Sequence, residues 1–252
     1  MKRMKVIAVA FFPLALFAGE QHGTDVLQAR ADSSYSAGDH RAALGTYTEI
    51  AASYSSPALY YNIGNCHYKL GNKAQAVLWF ERAHRLAPGD ADINANLDLA
   101  RAQVVDRVNT APGIALGGSW SAFRAGAEVD TWAIRSLWFC LATFTCLSVW
   151  ALLSGLGLRR ILFGLASALG VCTVITIALA AYRASELRNT EEAILLSPKV
   201  DVRSEPREGA LTVFVLHEGT KVTIQKVEDS WCEVRLANGN VGWMKADALE
   251  RI

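Results

Sequence analysis

The stretch "ALYYNIGNCHYKLGNKAQAVLWFERAHRLAP", residues 58–88, decides how the amino-terminal part of this 252-residue chain folds. Tyr60, Ile63, Gly64 and Tyr68 recur at helical spacing before Gly71, and Ala76, Phe80 and Ala83 recur at i, i+4 and i+7 after it. Ser56 stands where a helix N-cap belongs, and Pro57 follows at the first position, where its missing N–H costs nothing. Gly71 sits where the first helix must stop. The stretch therefore reads as a helical hairpin whose small residues let the two helices approach while Phe80 fills the gap. A second copy lies 33 residues upstream in "YSAGDHRAALGTYTEI", residues 35–50, where Tyr35, Gly38, Ala43 and Tyr47 match Tyr68, Gly71, Ala76 and Phe80.

A period near 34 with small and aromatic residues at these places resembles the tetratricopeptide repeat, and residues 57–88 fit it more closely than residues 24–56. After Pro88, a third helix is expected over 90–108, capped by Asp90, with Ile93, Leu97, Ala100, Val104 and Val108 on one face. No second helix follows it, so it reads as the capping helix of a domain over 24–108. An array of this kind needs about three units to bury a continuous core, so it is expected to lean on a partner or on the membrane. The resemblance implies a peptide-binding groove lined by first-helix residues Tyr61, Asn62, Asn65, Tyr68 and Lys69, which otherwise read as plain solvated surface.

The composition points to a membrane. The chain is 52% hydrophobic and 19% charged, with a mean hydropathy of +0.18. Residues 136–158 and 161–182 carry no charge and are separated by Arg159-Arg160. One continuous helix would be about 70 Å long, roughly twice a bilayer's hydrocarbon thickness. Each arginine at mid-membrane would cost about 2.5–3.5 kcal/mol, so the chain must turn back at "GLGLRR". Two transmembrane helices are thus expected, over 131–158 and 161–182. At the other end, Lys2, Arg3 and Lys5 precede a 13-residue apolar run, residues 6–18, too short to span. This matches a secretory signal peptide over 1–19, either cleaved or retained as an anchor. Export of the helical domain puts the arginine turn on the cytoplasmic side and returns the carboxyl terminus to the outer side. Residues 109–130, rich in Gly, Ala and Ser and holding Trp120 and Phe123, read as a linker.

Residues 193–252 change texture to short β-rich runs, "TVFVL", "TKVTIQKV", "WCEVRL" and "VGWMK", separated by turn signals. Cys232, Val234 and Leu236 alternate with Trp231, Glu233 and Arg235 as in a half-buried strand, and Asn238-Gly239 suits a tight hairpin. Strands this short and this many argue for a small barrel. "VDVRSEP", "LHEGTKVTI" and "NGNVGWM" resemble the bacterial SH3-like domain. Trp231 and Trp243 read equally as its ligand surface or as its core. The fold class expected is therefore multi-domain: all-α tetratricopeptide hairpins, a two-helix transmembrane hairpin and a small all-β SH3-like barrel.

No catalytic or metal-binding motif is present, no enzyme is expected, and no cofactor is implied. A net charge of +1 without a basic run gives no reason to expect nucleic acid. Of five cysteines, Cys140, Cys146 and Cys172 fall in the spans, leaving Cys66 and Cys232 one to a domain, against a disulfide framework. The adjacent Cys66 and His67, with His84 further on, lack the three or four converging ligands of a metal site. They read as scaffold, with a redox-sensitive Cys66 as the alternative.

The order of these segments resembles the BatE-type, tetratricopeptide/SH3 member of the Bacteroides aerotolerance (Bat) group. That resemblance implies a non-enzymatic subunit of a membrane complex linked to aerotolerance or oxidative stress. Its implied partners are von Willebrand A-domain Bat proteins and a MoxR-type ATPase system. The SH3-like resemblance separately implies binding to peptidoglycan, as a cell-wall sensor or anchor.

Overall fold

The computed structural model describes residues 18–106, 129–153, 155–188 and 191–252. The expected signal peptide, apart from residues 18 and 19, and the linker up to residue 128 lie outside the described residues. The chain forms two compact units, Met1–Tyr54 and Ser55–Ile252.

In the first unit, α1 (Ala18–Ser36) and α2 (His40–Ala51) form a hairpin. Gly38 takes the positive φ of +83° that reverses the chain. Asp39 then caps α2 by accepting from the Ala42 N–H at 3.0 Å. Ala31, Ala43, Tyr47 and Ile50 are buried in this hairpin, and the Tyr47 hydroxyl donates to the Asp32 carboxylate.

The second unit begins with α3 (Pro57–Lys69), α4 (Lys73–Leu86) and α5 (Ala91–Arg101). Ser56 caps α3 through the Leu59 N–H, Pro57 occupies its first turn, and Gly71 ends it at φ +79°. The close approach of α3 and α4 is made at Gly64, where an added Cβ would lie 2.6 Å from Phe80 Cδ1. Asp90 caps α5 by accepting from the N–H groups of Asp92 and Ile93. Helix α5 is shorter than the sequence suggested. The chain leaves it through successive turns at Gln103 and Val104, so Val104 reaches the core from outside the helix and Asp106 is free to contact the sheet. Val108 lies outside the described residues.

Helices α6 (Val129–Leu152) and α7 (Leu156–Arg188) pair antiparallel. Trp150 meets Phe163 at 6.1 Å between ring centroids, and Thr143 reaches the Gly170 position. Both are long and apolar enough to cross a membrane over Thr131–Leu152 and Gly157–Tyr182. Helix α6 ends at Leu152 and α7 begins at Leu156, within the stretch expected to turn, so Arg159 and Arg160 join the first turns of α7. Arg159 stacks over Trp150 at 4.6 Å. Leu137, Trp138, Phe144, Ile161, Val171 and Val174 are each more than half exposed, which a hairpin buried in a soluble core would not show. Thr143, Thr145, Ser148, Ser167, Thr173 and Thr176 donate to carbonyls one turn back, so these hydroxyls need no water.

The remaining residues form seven strands: β1 (Glu192–Leu195), β2 (Lys199–Arg203), β3 (Thr212–His217), β4 (Lys221–Glu228), β5 (Trp231–Arg235), β6 (Val241–Lys245) and β7 (Leu249–Arg251). They make one antiparallel sheet in the order β3-β2-β6-β5-β4-β1-β7. Val202 and Leu216, near one edge, share a core with Ala193 and Leu195 near the other, so the sheet curls on itself around Cys232, Val234 and Met244. Only Gly239 of the Asn238-Gly239 pair has a positive φ. Leu236 N–H donates to the Asn240 carbonyl, giving a three-residue loop in place of the two-residue hairpin expected.

Along β1 the two-residue period sends Ala193 and Leu195 into the sheet core and Ile194 the other way. Ile194 enters the cluster of Val77, Leu78, Leu97, Ala100 and Val104 contributed by α4, α5 and the turn after it. Helices α4 and α5 thus lean on the chain's own sheet domain.

Candidate interaction surfaces

Of the expected groove residues, the structure brings Tyr61, Asn65 and Tyr68 of α3 together with residues on or just after α5. Asn96 Nδ2 donates to the Tyr61 hydroxyl at 2.7 Å and to Asn65 Oδ1 at 3.1 Å. Gln103 Nε2 donates to the Tyr68 hydroxyl at 2.7 Å. Asn65 Nδ2 and Asn96 Oδ1 make no hydrogen bond among the described residues, so this row keeps both a donor and an acceptor in reserve. Asn62 is half-buried and Lys69 exposed beside it. Asn96 and Gln103 were missed in the sequence, since a polar residue on a helix carries no signal of its partner.

Cys66 and His67 point into different surroundings. Cys66 is fully buried, and burial pushes its thiol up to about 11. The His67 ring accepts from Asn72 Nδ2 at 3.3 Å. Burial lowers its pKa, against the opposing charge of Glu250. His84 instead bonds Asn94 at 2.7 Å and ties α4 to α5. Cys232 is buried in the sheet core, and its thiol too is pushed up to about 11 by burial, with Arg251 acting the other way. Both thiols are free and buried.

Trp231 is 9% exposed, with Arg203 and Lys245 over its ring at 5.5 and 5.8 Å. Glu208 bridges the same two cations, at 3.2 Å to Arg203 and 2.7 Å to Lys245. A cavity of about 290 Å³ opens beside the ring, lined also by Lys199, Asp201 and Asp247. Trp243 is half-buried on β6 with Lys226 over it. The two tryptophans are therefore flanked by cations and do not form a bare aromatic platform.

A further set of polar contacts joins the helices to the sheet. Glu81 is 2% exposed and accepts from Arg101 and from Lys221 Nζ at 3.0 Å. Burial would raise its pKa, but the charges and hydrogen bonds of Lys221 and Arg101 prevail and hold it below the usual carboxylate range. Asp106 accepts from the His217 N–H at 2.6 Å, from His217 Nδ1 at 3.0 Å and from Thr220 Oγ1 at 3.0 Å. Its burial acts upward as well, and these bonds more than offset it. Arg82 donates to Glu250 and to the Arg251 carbonyl, each at 2.8 Å. Nothing in the sequence singled these residues out, because Glu81 and Lys221 stand 140 positions apart.

Residues 57–90 match the tetratricopeptide repeat, and residues 198–250 match the bacterial SH3 domain. The chain therefore combines a segment similar to a helical interaction repeat with one similar to a small β ligand-binding domain, separated by two apolar helices. No curated protein matches it.

Proposed function

We propose that this chain is a non-enzymatic, membrane-anchored scaffold for protein–protein interaction, and a subunit of a Bat-type membrane complex linked to aerotolerance or oxidative stress. The observation that carries the reading is the row of phenol and amide groups along α3 and α5. Tyr61, Asn65, Asn96, Tyr68 and Gln103 are ordered by one another and still offer hydrogen bonds to a peptide backbone. The partners are other subunits, von Willebrand A-domain Bat proteins and a MoxR-type ATPase system. The chain sits in the bacterial inner membrane with both soluble parts on the periplasmic side and the Arg159-Arg160 end of the hairpin in the cytoplasm. The contact between the helices before the hairpin and the sheet after it supports one shared side, because the two can meet only after an even number of crossings. Affinity capture from detergent-solubilised membranes tests this reading. Specific subunits should be recovered with the unaltered chain and lost with Tyr61→Phe combined with Asn65→Asp, and equal recovery by both would sink it.

A second reading, a peptidoglycan-binding sensor or anchor, rests on the cavity beside Trp231. The full chain should then cosediment with purified cell wall and lose retention in Lys199→Glu. No retention of the unaltered chain removes this reading.

A further inference from the structure

We infer that the SH3-like domain has a second task, unconnected with any ligand at Trp231: it caps the helical array by covering the outer sides of α4 and α5. The inference goes beyond the proposed interaction function, and only the order of assembly drawn from it rests on the membrane placement proposed there. In a stacked array each helix pair covers the apolar side of the pair before it, and an end without a successor must be made polar or be covered. Here the outer sides of α4 and α5 are neither polar nor bare. Val77, Leu97, Ala100 and Val104 are 8% exposed or less, and the group that completes their cluster is Ile194 of β1, with Leu196 and Ile252 beside it. Gly219, at φ +85° in the β3–β4 turn, comes so near that a Cβ there would lie 2.6 Å from Val104 Cγ2.

The polar contacts have the form of a built interface. Glu81 lies on α4 with its carboxylate held between Arg101 of α5 and Lys221 of β4, so one buried charge is shared by three elements. On a free array end this glutamate would be solvated, and its burial exists only while the sheet is docked. Asp106 serves the β3–β4 turn as a side-chain cap, accepting from one backbone N–H and two side chains. Arg82 and Arg85 take the carbonyls of Arg251 and Ile252. The consequence is an order of assembly. Helices α3–α5 reach their final packing only when residues 192–252 have arrived on the same side, after the hairpin between them has been placed.

The test uses the full chain in detergent and limited trypsin cleavage within α3–α5, at Lys69, Lys73 and Arg85. Ile194→Asp and Lys221→Glu alter the sheet only on its outward side, and Lys221→Ala serves as a milder variant. Each should speed cleavage in α3–α5, on the order of tenfold for the first two, while slow hydrogen exchange at the amides of β5 and β6 reports an intact sheet. Unchanged cleavage with the sheet folded overturns the inference. Should Ile194→Asp unfold the sheet, the lysine variants decide alone by the same criterion. Protection of the unaltered chain must also be independent of dilution, and protection that falls on dilution would assign the cap to a second copy and overturn capping in cis.

Discussion

At Gly64 the absence of a side chain is what lets α3 meet α4, since a Cβ would press on Phe80, itself only 1% exposed. Helix propensity favours alanine over glycine by about 1 kcal/mol, but overpacking a closed core costs about 1–3 kcal/mol. Gly64→Ala should therefore lower the thermal unfolding midpoint. Gly45→Ala, in α2 with nothing within 4 Å of the new Cβ, should raise it. The reverse order would show that the approach at Phe80 is loose. The sequence revealed Gly64 through its recurrence with Tyr60, Ile63 and Tyr68, but it could not separate Cys66 from its neighbour His67. Burial separates them: a thiol at about 11 leaves a thiolate fraction of roughly one in ten thousand at neutral pH. In a variant with Cys140, Cys146 and Cys172 changed to alanine, maleimide should label neither Cys66 nor Cys232 until the protein is denatured. Rapid labelling of Cys66 in the native protein would restore a redox role.

Among the elements, α4 carries the largest consequence, because its outer side holds the sheet. Glu81→Gln leaves Lys221 and Arg101 facing a neutral group, and because both cations are partly solvated the expected loss in chemical or thermal unfolding lies below the roughly 3–5 kcal/mol of a fully buried pair. The pH dependence follows from the same charges. The pKa values of Glu81 and Asp106 are depressed in the folded protein, so their contribution is complete above the ordinary carboxylate value and is lost as pH falls through the lower folded values. Docking should persist in mild acid and weaken only below the usual carboxylate range, and Glu81→Gln should flatten that fall. A profile equally steep in the variant would place the titration elsewhere. Helix ends were legible in Ser56, Gly71 and Asp90, whose capping chemistry is local. Strand β1 was not, because "EAIL" (residues 192–195) is too short to show its period, and what pairs with it, β4 and β7, lies far along the chain.

For the whole molecule, the hairpin and the seam act on one another. The seam holds residues on either side of α6 and α7 together, so topology reporters fused after residues 108 and 252 should face one side and a reporter after Arg160 the other. Opposite sides for 108 and 252 would be incompatible with the seam in a membrane-inserted chain. The sequence by itself determined the helical hairpins, the two apolar helices and the β character of the last sixty or so residues, because hydrophobic period, caps and turn residues act within a few positions. Only the tertiary structure decided that the sheet covers α4 and α5, that Glu81 is buried, and that Trp231 stands between cations. The contacts that seat the sheet on the helices join residues more than a hundred positions apart, and neither period nor propensity carries a signal for which distant surface a helix face will meet.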